Sequence, residues 1–236
     1  MEMDRSMRAL LFTTGSPFAR GVRVILDELA LAYEKREEIT TPTVENRAAA
    51  TPTLQVPTLW DNGNVLWESG LISEYLLSTY SERRASTPPL AKNPWRSPSE
   101  WQDRLIFATI QTLGSAATTI SQLRWSGIAY KDNDYLTRCA DRLPHLLPWL
   151  EEKLINQTEG FYTGEISIQD IFLICHLSFI ANRPLSLDPG LSSFPKINAL
   201  LARMEQRQSF QENPVLWWEP GVVGYGEDGK TPIYAS

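Results

Sequence analysis

The sequence predicts two folded parts, a small mixed α/β domain followed by an all-helical domain. In the first part, runs typical of strands and helices alternate in the order of a β-α-β unit, a hairpin and a final helix. A stretch rich in Ser, Arg and Pro then occupies residues 83–97, and no later segment has the pattern of a strand. We therefore expect an α/β domain at 7–82, a linker at 83–97, an all-helical domain at 98–216 and a tail at 217–236.

The elements of the first part follow from apolar spacing and turn residues. Residues 8–13 form an apolar run typical of a buried strand, and the apolar positions after Pro17 recur at helical spacing. Ser16 is placed to cap this helix and Pro17 to occupy its first position, where a missing N–H is harmless. The charged strand at 33–39 is expected near a sheet edge. The predicted strands are 8–13, 33–39, 55–60 and 65–68, and the predicted helices are 17–32, 45–50 and 69–80.

Four helices are predicted in the second part, and one of them should be buried on all sides. Residues 168–181 are nearly all apolar, which is typical of a central helix. Pro144 and Pro148 interrupt the second of the four helices, so we expect a kink or break there. Ser167 and Asp170 have the spacing of a reciprocal capping box, which favours a folding role over a chemical one. The predicted helices are 99–125, 133–156, 168–181 and 194–208.

The tail at 217–236 has no clear periodicity. It begins with the adjacent residues Trp217 and Trp218, and disordered segments seldom carry adjacent tryptophans. We therefore expect the first half of the tail to pack against the body of the protein.

The composition excludes several classes of function. The chain has 236 residues, 42% hydrophobic and 21% charged, with a formal net charge of -6. This acidic balance disfavours nucleic acid or an anionic membrane as the main partner, and no apolar run approaches the roughly 20 residues that span a bilayer. The first residues lack a signal-peptide pattern, and Cys139 and Cys175 lie in separate helical stretches, so we expect a reduced, cytoplasmic protein. His145 and His176 are its only histidines, and we expect no metal site.

Glu68 and Ser69 stand where the predicted hairpin meets the last helix of the first part. The N-terminus of a helix offers unpaired N–H groups and a partial positive charge to a carboxylate. The Ser69 hydroxyl adds a donor, and Glu68 supplies a counter-charge for an ammonium group, so the pair suits the α-amino acid end of a ligand. The alternative is structural, because Ser is a common N-cap and an acidic residue in the first turn favours any helix.

Three stretches together resemble the cytosolic glutathione transferases. They are Ser-Pro-Phe-Ala-Arg-Gly-Val-Arg at 16–23, Gln-Val-Pro at 55–57 with Glu-Ser at 68–69, and Gly-Glu-Ile-Ser-Ile-Gln-Asp at 164–170. Each is weak alone, but their order and distances extend the resemblance over nearly the whole chain. The resemblance implies a thioredoxin-like N-terminal domain that binds glutathione, an all-helical C-terminal domain, and a homodimer.

The resemblance also implies how glutathione is held. The peptide bond before Pro57 would be cis, and the backbone of Val56 would pair with the cysteinyl part of the tripeptide. A cis proline turns the preceding N–H and C=O toward a groove. Glu68 and Ser69 would hold the γ-glutamyl end.

Gln55 departs from the pattern of many relatives, which carry a lysine at this position. The replacement removes a positive charge that could hold the glycine carboxylate of glutathione. Arg47 and Lys92 are the candidates to compensate for it.

Ser16 is implied as the catalytic residue by resemblance to the serine-type transferases, which include theta, zeta and related bacterial forms. A free thiol has a pKa of about 8.5, and a hydroxyl donor beside a helix N-terminus lowers it by stabilising the thiolate. The glutathione thiolate would then attack an electrophilic carbon or displace a leaving group. Alternatively, Ser16 is only an N-cap, or Thr13 or Thr14 serves in its place. Arg20 and Arg23 either add positive potential or are surface or domain-interface residues.

The pocket for the second substrate is expected between the two domains. Its candidate residues are Phe18, Gln111, Ser115 and Trp125, although a tryptophan on a helix is more often a core residue. The long segment after residue 210 could line or close this pocket.

These observations lead to a hypothesis about function. The chain is expected to be a cytoplasmic, homodimeric glutathione transferase that uses glutathione as co-substrate, needs no metal, and acts on a small hydrophobic electrophile. One alternative is a non-catalytic binding or regulatory protein of the same fold, which Gln55 and the long tail motivate. Another is a glutathione-dependent isomerase, dehalogenase or peroxidase.

Overall fold

The structure is a computed structural model that describes residues 8–40, 42–82 and 86–235. Met7, at the start of the predicted N-terminal domain, lies outside the described residues, and so do residues 83–85 of the predicted linker and Ser236 of the predicted tail.

The N-terminal part is a thioredoxin-like domain built on a four-stranded sheet, as predicted. The strand order is β2-β1-β3-β4, with β1 and β2 parallel and the other pairs antiparallel. The first helix, α1, packs between this sheet and the helical domain, where Gly21 approaches the ring of Phe172 closely. The elements are β1 Ala9–Phe12, α1 Pro17–Glu28, β2 Glu34–Glu37, α2 Val44–Ala50, β3 Thr58–Asp61, β4 Asn64–Trp67 and α3 Ser69–Tyr80.

Helix α1 is shorter than the sequence predicts. It ends at Glu28 instead of near Ala32, because Ala30 adopts a left-handed conformation with φ 53°. The apolar spacing continues through Leu29 and Leu31, which are buried, so periodicity alone does not reveal this end. Strand β2 is mostly exposed and lies at the sheet edge, as predicted.

The C-terminal part is helical, and α7 is its central helix. Every residue of α7 from Ile168 to Ile180 is buried. The Ser167 hydroxyl accepts from the Asp170 N–H, and the Asp170 carboxylate accepts from the Ser167 N–H, which confirms the capping box. The predicted helix at 133–156 is broken before Pro144, and Pro148 lies inside its second half. The helices are α4 Glu100–Trp125, α5 Asp134–Ala140, α6 Leu143–Lys153, α7 Ile168–Ala181, α8 Pro195–Glu205 and α9 Gln208–Gln211.

The tail contains a β-hairpin, so the prediction that no strand follows the linker is wrong. Strands β5 Val222–Tyr225 and β6 Pro232–Tyr234 pair antiparallel with an irregularity between Val222 and Gly224. A three- or four-residue strand that carries a glycine or a proline has too few alternating positions to show a period of two.

A buried ion pair joins the two domains. Glu28, at the end of α1, accepts from Arg207 Nε at 2.8 Å and Nη2 at 2.7 Å, and from the Ser209 hydroxyl at 2.5 Å. Burial alone would raise the pKa of Glu28, but these hydrogen bonds outweigh burial and hold the pKa below its ordinary value. The carboxylate is therefore a stabilising interdomain contact at neutral pH.

Replacement of Glu28 by Gln should reduce the free energy of unfolding by about 2 kcal/mol at neutral pH, since hydrogen bonds to a charged group are lost. A carboxylate with a lowered folded pKa stabilises the fold above its unfolded pKa, and this contribution disappears as pH falls through the folded pKa. The difference between wild type and Glu28→Gln should therefore shrink below about pH 4. Urea unfolding over a pH series measures it, with Glu152→Gln at an exposed glutamate as control. A difference that is constant with pH would contradict the account.

Candidate active site between the domains

A cavity of about 740 Å³ lies between the two domains. It is lined by the β1–α1 turn, the segment before β3, the start of α3, one face of α4, the end of α7 and the tail. The ten residues proposed for catalysis, for glutathione binding and for the second-substrate pocket all line this one cavity, although they come from four separate stretches of the chain. They are Ser16, Phe18, Gln55, Val56, Pro57, Glu68, Ser69, Gln111, Ser115 and Trp125.

Ser16 both caps α1 and faces the cavity. Its hydroxyl oxygen accepts from the Ala19 N–H at 3.2 Å. A serine hydroxyl that accepts one hydrogen bond still has a proton to donate, so the capping role and a role toward a ligand are compatible. Thr13 also lines the cavity, whereas Thr14 is buried and is not among the lining residues.

Glu68 and Ser69 are not arranged as an ordinary helix start. Glu68 occupies the N-cap position with a positive φ of 68°, and its side chain makes no capping hydrogen bond. Ser69 is the first helical residue, so its hydroxyl does not cap α3. A non-glycine residue in this backbone region costs about 1–3 kcal/mol and is concentrated at functional sites. The alternative in which Ser69 is the N-cap of this helix is therefore wrong.

The Glu68 carboxylate is exposed to the cavity, and among the described residues no cation lies within 4.0 Å of it. Ser69 is buried beside it, 6% exposed. An exposed carboxylate and a hydroxyl at the start of a helix supply the acceptor and donors that an amino acid end requires.

Gln111 connects Ser69 to the buried His176, for which no sequence pattern indicates a role. Its amide nitrogen donates to the Ser69 hydroxyl at 3.5 Å, and its amide oxygen lies 3.2 Å from His176 Nε2. Burial lowers the pKa of His176 to about 3, so the ring is neutral and Nε2 can donate. The Phe18 ring lies edge-on to His176 at 4.8 Å. Gln111 and Phe18 therefore lie on the Ser69 side of the cavity, not on its far wall.

The middle of the cavity is formed by the segment before β3. The Val56–Pro57 peptide bond is cis, and Gln55 and Val56 line the cavity beside Leu54. Arg47 also lines it, but its guanidinium donates to the Leu54 carbonyl at 3.2 Å and pairs with Glu38.

Of the two candidates to compensate for Gln55, only Arg47 reaches the cavity. Lys92 is exposed and is not among the lining residues.

The far end of the cavity is aromatic and is lined in part by the tail. The rings of Trp125 and Trp218 lie 5.3 Å apart, and Trp218 Nε1 donates to the Ile39 carbonyl at 2.6 Å. A Cβ on Gly15 would lie 2.7 Å from the Trp218 Cβ, so the tail packs directly on the turn that carries Ser16. Trp125 is 36% exposed and is not a core residue. The expectation that the tail packs on the body and lines the pocket is confirmed, and the adjacent tryptophans were its signal.

Arg20 and Arg23 are buried, so a surface position for them is wrong. Arg20 Nε donates to the Asn213 carbonyl at 2.6 Å, which makes Arg20 a domain-interface residue. The Arg23 guanidinium lies over the Phe12 ring at 4.6 Å. Neither arginine lines the cavity.

The cysteines take no part in the cavity. Cys139 and Cys175 are free and buried, and burial raises the pKa of Cys175 to about 11. In the described ranges, no group of three or more His, Cys, Asp or Glu residues could hold a metal ion. The helices of this same part of the chain include none with the length and apolarity needed to cross a membrane.

Comparisons with known proteins bear on both fold and site. Residues 10–84 match the family "Glutathione S-transferase, N-terminal domain". No curated protein matches the chain.

Solved glutathione transferases share the fold over most of the chain. One from Methylobacterium radiotolerans, in complex with glutathione sulfonate, is 21% identical with a TM-score of 0.69, covering 88% of this chain and 94% of that chain. One from Methylobacillus flagellatus with glutathione bound is 21% identical with a TM-score of 0.70, covering 87% and 98%. The transferase URE2P8 from Phanerochaete chrysosporium, with oxidized glutathione, is 22% identical with a TM-score of 0.65, covering 90% and 95%. The thioredoxin-like and helical fold class is confirmed.

Proposed function

The chain carries a glutathione S-transferase N-terminal domain, and from this premise we propose that it is a serine-type glutathione transferase. In this proposal Ser16 activates the glutathione thiol for attack on a small electrophile. The observation that carries it is the single cavity that brings together Ser16, Val56–Pro57 and Glu68–Ser69. The glutathione complexes of structural neighbours support the ligand.

Apart from its thiol, glutathione has three charged groups, and the cavity offers a partner for two of them. Its ammonium group pairs with Glu68, which has no cation within 4.0 Å among the described residues. Its γ-glutamyl carboxylate accepts from the Ser69 hydroxyl and from the first N–H groups of α3. Gln111 and His176 fix the Ser69 hydroxyl from behind. The Val56 backbone holds the cysteinyl part.

The glycine carboxylate is held weakly in this arrangement. Gln55 offers a neutral amide, and Arg47 is already paired with Glu38. We therefore place most of the binding free energy on the γ-glutamyl end.

Ser16 acts on the sulfur. Its hydroxyl accepts from Ala19 and donates its proton to the thiolate, while the N-terminus of α1 adds a partial positive charge. Both effects favour the thiolate over the thiol and lower the thiol pKa. The sulfur then forms a bond to the electrophilic carbon, the leaving group departs with its electron pair, and the thiol proton passes to solvent.

The proposal is tested by retention of the wild-type protein on immobilised glutathione and by conjugation of glutathione to chlorodinitrobenzene. We expect retention, elution by free glutathione, and conjugation above the uncatalysed rate. Absence of both retention and thermal protection by glutathione would contradict it.

A non-catalytic binding protein is the second candidate, favoured by Gln55 and by the pairing of Arg47 with Glu38. It predicts a folded protein without conjugation activity that reproducibly binds a partner protein. Glutathione-dependent isomerase, dehalogenase and peroxidase activities use the same thiolate, and a substrate panel distinguishes them from conjugation.

We also propose that the protein is a cytoplasmic homodimer. Apolar side chains are exposed on β4, α3 and α4, where Val65 is 42%, Leu71 54%, Trp101 72% and Leu105 51% exposed. The two helices are adjacent, since Arg104 of α4 pairs with Glu74 of α3 at 3.7 Å. An apolar face of this kind is typical of a protein–protein interface.

Replacement of Trp101 by Glu should convert the dimer to a monomer, because burial of an unpaired carboxylate in the interface raises the dissociation constant by about 100-fold or more. Light scattering after gel filtration measures the mass. Tyr135→Glu, at an exposed aromatic residue of α5, is the matched control and should remain dimeric. A monomeric wild type, or a dimeric Trp101→Glu variant, would overturn this interface.

A further inference from the structure

Arg183 is a cavity-lining cation held rigidly at the aromatic end. It lies two residues after the end of α7 and is 7% exposed. Its guanidinium carbon lies 5.0 Å from the centre of the Phe179 ring and 5.4 Å from the centre of the Trp217 ring. Stacking between two aromatic rings restricts the orientation of the planar guanidinium.

The hydrogen-bonding capacity of Arg183 is only partly used. Nη1 donates to the Asn182 carbonyl at 3.3 Å, and Nη2 donates to the Leu216 carbonyl at 2.7 Å. Nε is buried without a partner. A guanidinium has five N–H groups, so three of them have no acceptor among the described residues.

Arg183 also has no contacting counter-ion within the described part of the chain, where no carboxylate oxygen lies within 4.0 Å of it. Burial lowers the pKa of Arg183 to about 10, while Tyr225 and Glu219 act in the opposite direction. The group is therefore charged at neutral pH. A buried charge without a contacting counter-ion is unfavourable, and a bound anion reduces that penalty.

Arg183 lies beside the proposed reaction centre. Its Nη2 is 3.3 Å from the position that a Cβ on Gly15 would occupy, and Gly15 immediately precedes Ser16. A compact molecule with an anionic group on this guanidinium would therefore keep its remaining atoms next to the Ser16 turn, against the contacting rings of Trp125 and Trp218.

We propose that Arg183 binds a carboxylate of the second substrate, so that the electrophile is a compact apolar molecule with one anionic group. The inference rests on the proposed function. It narrows the electrophilic substrate from any small hydrophobic molecule to one that also carries an anionic group. Arg183 acts as a specificity-determining residue; the reacting atoms are the glutathione sulfur and the carbon that it attacks.

Binding of two unreactive probes tests the proposal without any catalysis. Dinitrobenzoate and dinitrobenzamide have the same ring and differ in charge, and both quench tryptophan fluorescence, which Trp125 and Trp218 supply at the cavity. We expect wild type to bind the benzoate about 10-fold or more tightly than the benzamide, as for a charge-assisted hydrogen bond. Arg183→Met should bring the ratio near one, and Arg183→Lys should keep part of it.

Benzamide affinity and melting temperature show whether Arg183→Met still folds with an intact cavity. If that variant does not fold, Arg183→Lys decides the question, because it keeps the charge and should still lower the ratio, whereas an unchanged ratio in Arg183→Lys would contradict the proposal. Equal affinities in wild type, or a preference that survives Arg183→Met, would overturn the proposal and leave Arg183 as a contact that docks the tail.

The chlorinated forms of the same two probes, which can react with glutathione, separate this inference from the proposed function. With para-chlorodinitrobenzoate, the glutathione sulfur forms the C–S bond, chloride leaves with the electron pair of the C–Cl bond, and the thiol proton goes to solvent. Benzoate preference in binding without conjugation supports the role of Arg183 and contradicts the transferase. If chlorodinitrobenzoate and chlorodinitrobenzamide are conjugated with equal kcat/KM, after correction for their uncatalysed rates, the role of Arg183 is contradicted and the transferase is not.

Discussion

Ser16→Ala should lower kcat/KM for glutathione conjugation by about 10- to 100-fold. The hydroxyl is proposed to donate to a thiolate, and a hydrogen bond to a charged group is worth about 1.5–3 kcal/mol. Since about 1.4 kcal/mol corresponds to a factor of ten, the loss of that bond gives the expected decrease. Retention on immobilised glutathione should change little, because the γ-glutamyl contacts remain.

The same substitution also removes the cap of α1, which costs about 0.5–2 kcal/mol of stability. Ser16→Asp separates the two roles, because a carboxylate still accepts from the Ala19 N–H but repels a thiolate. We expect Ser16→Asp to melt near wild type and to be at least as inactive as Ser16→Ala. Ser16→Thr, which keeps both functions of the hydroxyl, should retain activity. Wild-type activity in Ser16→Asp would contradict a role for Ser16 beyond capping.

Glu68→Gln should weaken glutathione binding by about 10- to 100-fold, since a carboxylate paired with the ligand ammonium is replaced by a neutral amide of the same shape. Titration calorimetry measures this affinity. Glu68→Gly should lose affinity to a similar degree without loss of melting temperature, because glycine tolerates the positive φ of 68° at this position.

Ser69→Ala is the companion variant at the next residue, and its effect should be smaller, because α3 still offers its N–H groups to the carboxylate. Glu74→Gln, on the same helix but outside the cavity lining, is the matched control and should bind as wild type. If Glu68→Gln binds glutathione as tightly as wild type does, Glu68 has no role in holding the ligand.

Elements with long or strongly capped patterns were predictable from the sequence. Helix α7 was recognisable from its apolar run and from Ser167 and Asp170, whose reciprocal hydrogen bonds the structure contains. The end of α1 was not predictable, because Ala30 turns the chain through a conformation that its side chain does not signal. The tail hairpin escaped detection because its strands have only four and three residues.

The cavity residues also divide into those that could be predicted from the sequence and those that could not. Residues in contiguous motifs, such as Glu68 and Ser69, could be proposed because their place at an element boundary has chemical meaning. His176 and Arg183 could not, because their environment depends on long-range packing. His176 looked like one polar residue in an apolar helix, and only the fold brings it to Gln111. Arg183 gains its position from the residues where the helical domain meets the tail, through Leu216 and Trp217.

The pH titration of glutathione bound to the wild-type protein tests the central claim most directly. Thiolate formation is followed by ultraviolet difference absorbance, with Ser16→Ala as reference. The proposed site predicts saturable binding and a bound thiol pKa at least about one unit below that of free glutathione, with the shift reduced in Ser16→Ala. Saturable binding with the pKa of the free thiol would contradict activation by this cavity, and absence of binding would contradict glutathione as its ligand.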